Sequence, residues 1–229
     1  MRVLVTRAAE DAARTASRLE SLGHETILAP ITRIVSTDEP QPKGAWDGLI
    51  VTSAHAEGAL RTVMGKSIPV FAVGDRTATI VRAAGFESVF VAEGDAVSLS
   101  RLVRERFASG QSLLHVTARH HKEEPAASLR AQGLHVTLWE AYEARALETL
   151  PSPAADALRS GQAQAVLHYS RRSADLFLRL TKEADLLPTL SSVHHACLSA
   201  DVAASLEALG LPVRIAARPE EEALLATLR

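Results

Sequence analysis

The sequence predicts an α/β protein built from two similar doubly wound units with parallel sheets. Three observations carry this. Short runs of strand formers alternate with helical patterns along the chain, as parallel strands joined by crossover helices require. Most of these runs are continuously apolar, the pattern of strands covered on both faces. And three pairs of segments repeat one another.

In chain order, strands are predicted at 2–6 (RVLVT) and 25–29 (ETILA). Between them Ala12, Ala16, Leu19 and Leu22 fall on one helical face, and Gly23 supplies the stop. Further strands are predicted at 48–53 (GLIVTS), 69–74 (PVFAVG), 88–92 (SVFVA) and 112–117 (SLLHVT). The last four are 135–144 (HVTLWEAYEA), 165–170 (AVLHYS), 194–199 (HHACLS) and 213–217 (VRIAA). A helix over 75–84 closes on Gly85, and one over 200–209 closes on Gly210 in the same way.

The repeat follows from these elements. LIVTSAHA (49–56) matches VLHYSRRSA (166–174), which sets Ser53 against Ser170. VGDRTATIVRAAG matches LSADVAASLEALG, setting Thr77 against Val202 and Gly85 against Gly210. VLVTR…LGHETILAP (3–30) matches LLHVTAR…QGLHVTLWE (113–140). The polar, proline-bearing STDEPQPKG (36–44) and ALETLPSPAAD (146–156) are the expected crossings. The expected division is a discontinuous domain of 1–36 and 146–229 with a second domain, 37–145, inserted in it.

Bulk properties bound the function. The 229 residues suffice for two small cores, with 47% hydrophobic and 23% charged residues as in ordinary globular chains. A net charge of -2 provides no general attraction for nucleic acid or an anionic membrane, so an anionic ligand must be met by local groups. The single cysteine, Cys197, forbids an internal disulfide and fits a reducing compartment. MRVLVTR enters a strand without the apolar core of a signal peptide, and no apolar run approaches 18 residues. A soluble, cytoplasmic protein is expected, with neither nucleic acid nor membrane as partner.

Doubly wound sheets bind ligands at the carboxyl ends of their strands, where helix N-termini present unpaired N–H groups and partial positive charge. Gly74, Thr77, Ser53 and Ser170 stand at such ends, as anion contacts or as ordinary caps and turn residues. Arg7, the run Arg119–Lys122 and the pair Arg171–Arg172 also follow predicted strands, which suits a rim receiving several carboxylates. Tyr142, at the end of a long strand, either donates a proton or fills a hinge. No dinucleotide fingerprint, Walker A motif or nucleophile elbow is present. The adjacent pairs His120–His121 and His194–His195 point to opposite faces of a strand and suit no single metal. His115, His135 and His168 are expected to be packed, and Cys197 to be a small buried residue.

At these residues the chain resembles the uroporphyrinogen-III synthase family. The resemblance runs over essentially the whole length. It is carried by VLVTR, GHETILAP, WDGLIVTSAHA, VFAVGDRTATIVRAAGF, GLHVTLWEAYEA, VLHYSRRSADLF and CLSADVAASLEALG in order. No one motif is strong; the ordered set is. It implies two α/β units joined by two strands, an active site in the cleft between them, and neither metal nor organic cofactor. It implies hydroxymethylbilane as substrate, closed to a ring with ring D inverted and water lost, by a monomeric enzyme. Tyr142 matches the tyrosine favoured as helper of the departing hydroxyl. Arg7, Ser53, Ala54, Gly74, Thr77, Ser170, Arg171 and Ser199 are the residues expected to bind the substrate, and Thr77 matches a threonine that faces the family's cleft. The chain departs from the family at SADVA, where Ser199 and Val202 replace the commoner glycine and threonine, and at HYSRRSA, which adds Arg171 and Arg172. The rival reading is a two-lobed α/β binding module that closes on a polyanionic small molecule without catalysis; only turnover separates the two.

Overall fold

The structure is a computed structural model that describes all of residues 1–229. The chain divides into two compact units, one of Met1–Arg33 and Arg145–Arg229, the other of Ile34–Ala144.

The first unit has a five-stranded parallel sheet. Its strands are β1 (Arg2–Val5), β2 (Glu25–Leu28), β9 (Ala165–His168), β10 (His194–Cys197) and β11 (Val213–Ile215), in the order β11-β10-β9-β1-β2. Side chains alternate across it. Leu4, Val166 and Cys197 enter one apolar layer with Phe177 and Leu206, while Val3, Val5, Ala165 and Leu167 enter the other with Leu19 and Leu224. Two buried faces explain the unbroken apolar runs. Helices α1 (Ala9–Ser21), α6 (Ser152–Arg159), α7 (Arg171–Glu183), α8 (Ala200–Glu207) and α9 (Glu221–Ala226) cover them.

The second unit carries β4 (Gly48–Val51), β5 (Val70–Ala72), β6 (Val89–Val91), β7 (Ser112–Ala118) and β8 (His135–Ala146), ordered β8-β7-β4-β5-β6 and parallel throughout. Its helices are α2 (Glu57–Thr62), α3 (Asp75–Ala83), α4 (Ala96–Arg104) and α5 (Ala126–Arg130). Leu49, Val51 and Leu114 face one layer, Ile50, Phe71 and Leu113 the other. Removing one such fully buried leucine to alanine costs about 2–5 kcal/mol.

Read from β9, the first sheet has the same order as the second: β9, β10, β11, β1 and β2 stand where β4, β5, β6, β7 and β8 do. The chain is thus a permuted repeat, and the three pairs of similar segments fall on these equivalent strands. Each sheet reverses direction of growth once, between β9 and β1 in one unit and between β4 and β7 in the other. Such switch points open a crevice at the carboxyl ends of the strands.

One strand was not expected: β3 (Thr32–Ser36) pairs at the outer edge with β8. Ile31 lies opposite Leu147 and Thr37 opposite Ala141, so these two strands run in opposite directions. TRIVS is only half-buried and holds its place by backbone pairing, a contribution that apolar patterning does not display. Gly85 and Gly210 end α3 and α8 with φ of +92° and +68°, the left-handed stop that glycine adopts without strain. His135 corrects an expectation: it lies on the exposed start of β8 rather than in a packed layer.

Candidate functional site

In the second unit, the strand ends on either side of the switch point gather several of the expected residues. Ser53 follows β4 and begins the 3-10 turn Ala54–Ala56; its hydroxyl accepts the His55 backbone N–H at 3.2 Å and caps the turn. Tyr142 reaches the same place from β8. Its ring centre lies 6.4 Å from that of His55 at a tilt of 56°.

A β-bulge aims Tyr142 there. Thr117 pairs with Glu140 but Ala118 pairs with Tyr142, so Ala141 is the extra residue on β8. Strict alternation would put Tyr142 on the face opposite Trp139 and Ala141. With the bulge all three pack in one layer with Ala56 and Leu60. Tyr142 is 6% exposed, and burial raises its pKa above the ordinary phenol value, opposed by the Ser53 side chain.

Gly74 and Thr77 stand on the neighbouring strand end. Gly74 caps α3 with no side chain, in extended backbone (φ -174°, ψ 177°) that any residue adopts. A Cβ there would meet Gly94 Cα at 3.5 Å, an ordinary contact, so neither backbone nor packing demands glycine. Thr77 lies in the first turn of α3 and is 5% exposed. Arg119, which follows β7, donates its N–H to the Tyr142 carbonyl at 2.8 Å and its guanidinium to Glu143 at 3.1 Å.

In the first unit, Ser170 and Ser199 cap α7 and α8, their hydroxyls accepting the N–H of Ser173 at 3.2 Å and of Val202 at 3.4 Å. Arg171 makes an exposed ion pair with Asp201 at 3.2 Å. Arg7 meets carboxylates of the protein's own. It binds Glu221 at 3.0 Å and Asp11 at 3.2 Å, and stacks over the Tyr169 ring at 4.0 Å.

Glu221 is the centre of that cluster, and sequence reading missed both it and Tyr169. Its carboxylate accepts from Thr15 at 2.9 Å, Tyr169 at 2.8 Å, Arg14 at 3.2 Å and Arg18 at 2.5 Å. Burial pushes its pKa up, but the Tyr169 and Thr15 hydroxyls with Arg14 and Arg18 hold it below the ordinary carboxylate value. Burial is also the main reason the Tyr169 phenol is pushed up to about 12. Nothing in the local sequence around EEEALL distinguishes Glu221 from a solvated glutamate.

Below the rim lies a buried histidine pair. His195 Nε2 faces the Leu190 carbonyl at 3.2 Å, so that nitrogen carries the proton; His168 Nε2 then donates to His195 Nδ1 at 3.1 Å. Both rings are neutral in this arrangement, and His168 Nδ1 is left buried without a partner. No group of three or more His, Cys, Asp or Glu side chains is arranged to hold a metal ion, and Cys197 is buried.

Three comparisons bear on this arrangement. A family model described as uroporphyrinogen-III synthase HemD matches residues 13–226. Among curated proteins, none matches the sequence. Of solved structures, uroporphyrinogen-III synthetase from Helicobacter pylori is similar over 100% of both chains, with 19% identity and a TM-score of 0.65, which supports the fold. A Thermus thermophilus uroporphyrinogen III synthase aligns over 100% of this chain and 98% of its own, at 16% identity and a TM-score of 0.44.

Proposed function

Because the chain belongs to the uroporphyrinogen-III synthase family, cyclising hydro-lyases of tetrapyrrole biosynthesis whose substrate is hydroxymethylbilane, we propose that Tyr142 is the residue that assists loss of the substrate's hydroxyl. The observation that supports this reading is the bulge in β8. It takes a tyrosine out of strand alternation and packs its ring beside the turn Ala54–Ala56 that follows β4.

The chemistry asks little of an acid. An electron-rich pyrrole already drives the hydroxyl out, giving a cationic azafulvene, so a hydrogen bond from a phenol of pKa above 10 is enough. Ring D then attacks through its substituted carbon to a spiro intermediate, which fragments and recloses with that ring inverted. The larger task is to hold the two chain ends in reactive geometry faster than they close unaided to the symmetric isomer I.

The substrate's eight carboxylates need receivers at the strand ends of each unit. We assign them to the amides of the helix starts at Ala54, Gly74, Ser170 and Ser199, with Thr77 and Arg171 beside them. Arg171 suits the role because its exposed pair with Asp201 is worth at most about 1 kcal/mol and is readily exchanged. Arg7, largely buried between Glu221 and Asp11, would have to give up both carboxylates to bind a third, and the proposal leaves it in its cluster. The reading includes a monomer, as the family resemblance suggests, and a reducing cytoplasm, which a single, buried cysteine suits.

The test uses freshly made hydroxymethylbilane and separation of the oxidised porphyrins by isomer. The protein should give chiefly isomer III, and Tyr142→Phe should lower single-turnover rate while the product stays III. A parental rate in the phenylalanine variant would remove Tyr142 from the reaction, and isomer I from the parent protein would overturn the activity itself.

A further inference from the structure

Tyr169 is the residue that links β9 to the Ser170 cap of α7, so what fixes Tyr169 also fixes where α7 starts. Its side chain is fixed twice. The phenol donates to Glu221 Oε1 at 2.8 Å, and the Arg7 guanidinium lies 4.0 Å from the ring centre. An ionised carboxylate only accepts, so the direction of this hydrogen bond is settled. Thr15 and Arg7 donate to the same oxygen at 2.9 and 3.0 Å, while Arg14 and Arg18 hold the other. Tyr169 comes just after β9 and Arg7 just after β1. One carboxylate from α9 thus ties together the two strand ends that flank the switch point of the first unit.

The second unit has a tie at the equivalent place. Thr52, which the repeat sets against Tyr169, follows β4, and its hydroxyl meets His115 Nε2 on β7 at 3.2 Å. The position of His115 falls to Val5 in the first unit, because Val5 pairs with Leu167 as His115 pairs with Ile50. Valine has no polar group to offer, so the first unit brings its partner from a helix outside the sheet. Two unrelated sets of side chains join equivalent strand ends, which makes the join itself the common feature.

On the reading of Ser170 and Arg171 as carboxylate receivers, we propose that Glu221 is a positioning residue for substrate binding. Through Tyr169 it holds the start of α7, and with it the amides at Ser170 and the Arg171 side chain, in place for a carboxylate. It touches no substrate itself. A receiver ordered by folding has less freedom left to lose on binding, so its anchoring is felt as affinity. The negative charge matters because arginines on both oxygens keep the carboxylate where the phenol can reach it.

Tyr169→Phe removes the phenol oxygen and leaves Glu221 its arginines and Thr15. It should raise KM for hydroxymethylbilane about fivefold at unchanged kcat, as expected for one hydrogen bond to a charged group acting through its neighbour. Glu221→Ala should raise KM at least as far, and adding Tyr169→Phe to it should have no further effect, since both remove the same contact. If Glu221→Ala does not fold, Tyr169→Phe alone decides. A cluster that only stabilised the fold would lower the active fraction, and so kcat, with KM at the parental value; that result overturns the proposal. Arg171→Ala tests the receiver directly. If it leaves KM unchanged, the receiver assignment fails first, and with it this role for Glu221. If Arg171→Ala raises KM and Tyr169→Phe does not, the receiver stands and the positioning role is overturned.

Discussion

Thr77 isolates a single hydroxyl. It is buried in the first turn of α3 beside the carboxyl end of β5, and valine reproduces its shape without the oxygen. Thr77→Val is therefore expected to melt like the parent while kcat/KM falls about fivefold, the equivalent of roughly 1 kcal/mol of one neutral hydrogen bond. Equal kcat/KM values would place this hydroxyl outside the substrate's surroundings. A glutamate at the same position measures something else, since an unpaired charge in a buried site costs several kcal/mol of folding free energy. Glu221 shows the converse limit of reading residues one at a time. Its identity is plain in the sequence, but its value comes from Arg7, Thr15 and Tyr169, which lie from 52 to 214 positions away.

Among the elements, the helix starts are the most exposed to single substitutions. Ser199 caps α8 from extended backbone (φ -159°, ψ 169°), and glycine is nearly its equal as a cap while alanine is not. Ser199→Gly is expected to cost a few tenths of a kcal/mol and Ser199→Ala about 1 kcal/mol, read from urea unfolding midpoints. An alanine variant as stable as the parent would mean that the 3.4 Å contact to the Val202 N–H contributes nothing. The strands were legible from their apolar runs, with the exception of β3. A half-buried edge strand of five residues carries too little patterning to be seen, and backbone pairing to β8 supplies what side chains do not.

At the scale of the whole molecule, three buried histidines tie folding to pH. Burial lowers His115 and His195 to about 4 and His168 well below its ordinary value of 6.5. For His115 the charges of His121 and Arg130 add to this, and for His195 the Leu190 carbonyl opposes it. These groups stay neutral in the folded protein but take up protons on unfolding once pH drops below 6.5. Their contribution is thus intact above 6.5 and is lost as pH falls toward 4, by up to about 1.4 kcal/mol per pH unit for each histidine. Unfolding free energies from urea titrations at pH 7.5, 6.5, 5.5 and 4.5 should be flat over the first step and fall steeply after it. A flat profile down to 5.5 would show that the rings are not neutral in the native state.

The sequence by itself determined the class of the molecule. Period, composition and repeat are local properties, and they announce two doubly wound sheets and even which strands are equivalent: VLHYS with LIVTS, VLVTR with LLHVT. The order of motifs also determined the family. Only the tertiary structure decided which side chains meet. Alternation along HVTLWEAYEA puts Tyr142 on the face away from Ala56, and one residue with no partner on β7, Ala141, reverses that; a bulge is a property of two strands in register, not of either alone. Arg7 is likewise a strand-end arginine in sequence and the partner of Asp11 and Glu221 in space. Where a charge or a phenol ends up depends on neighbours brought from distant segments, and no local pattern encodes them.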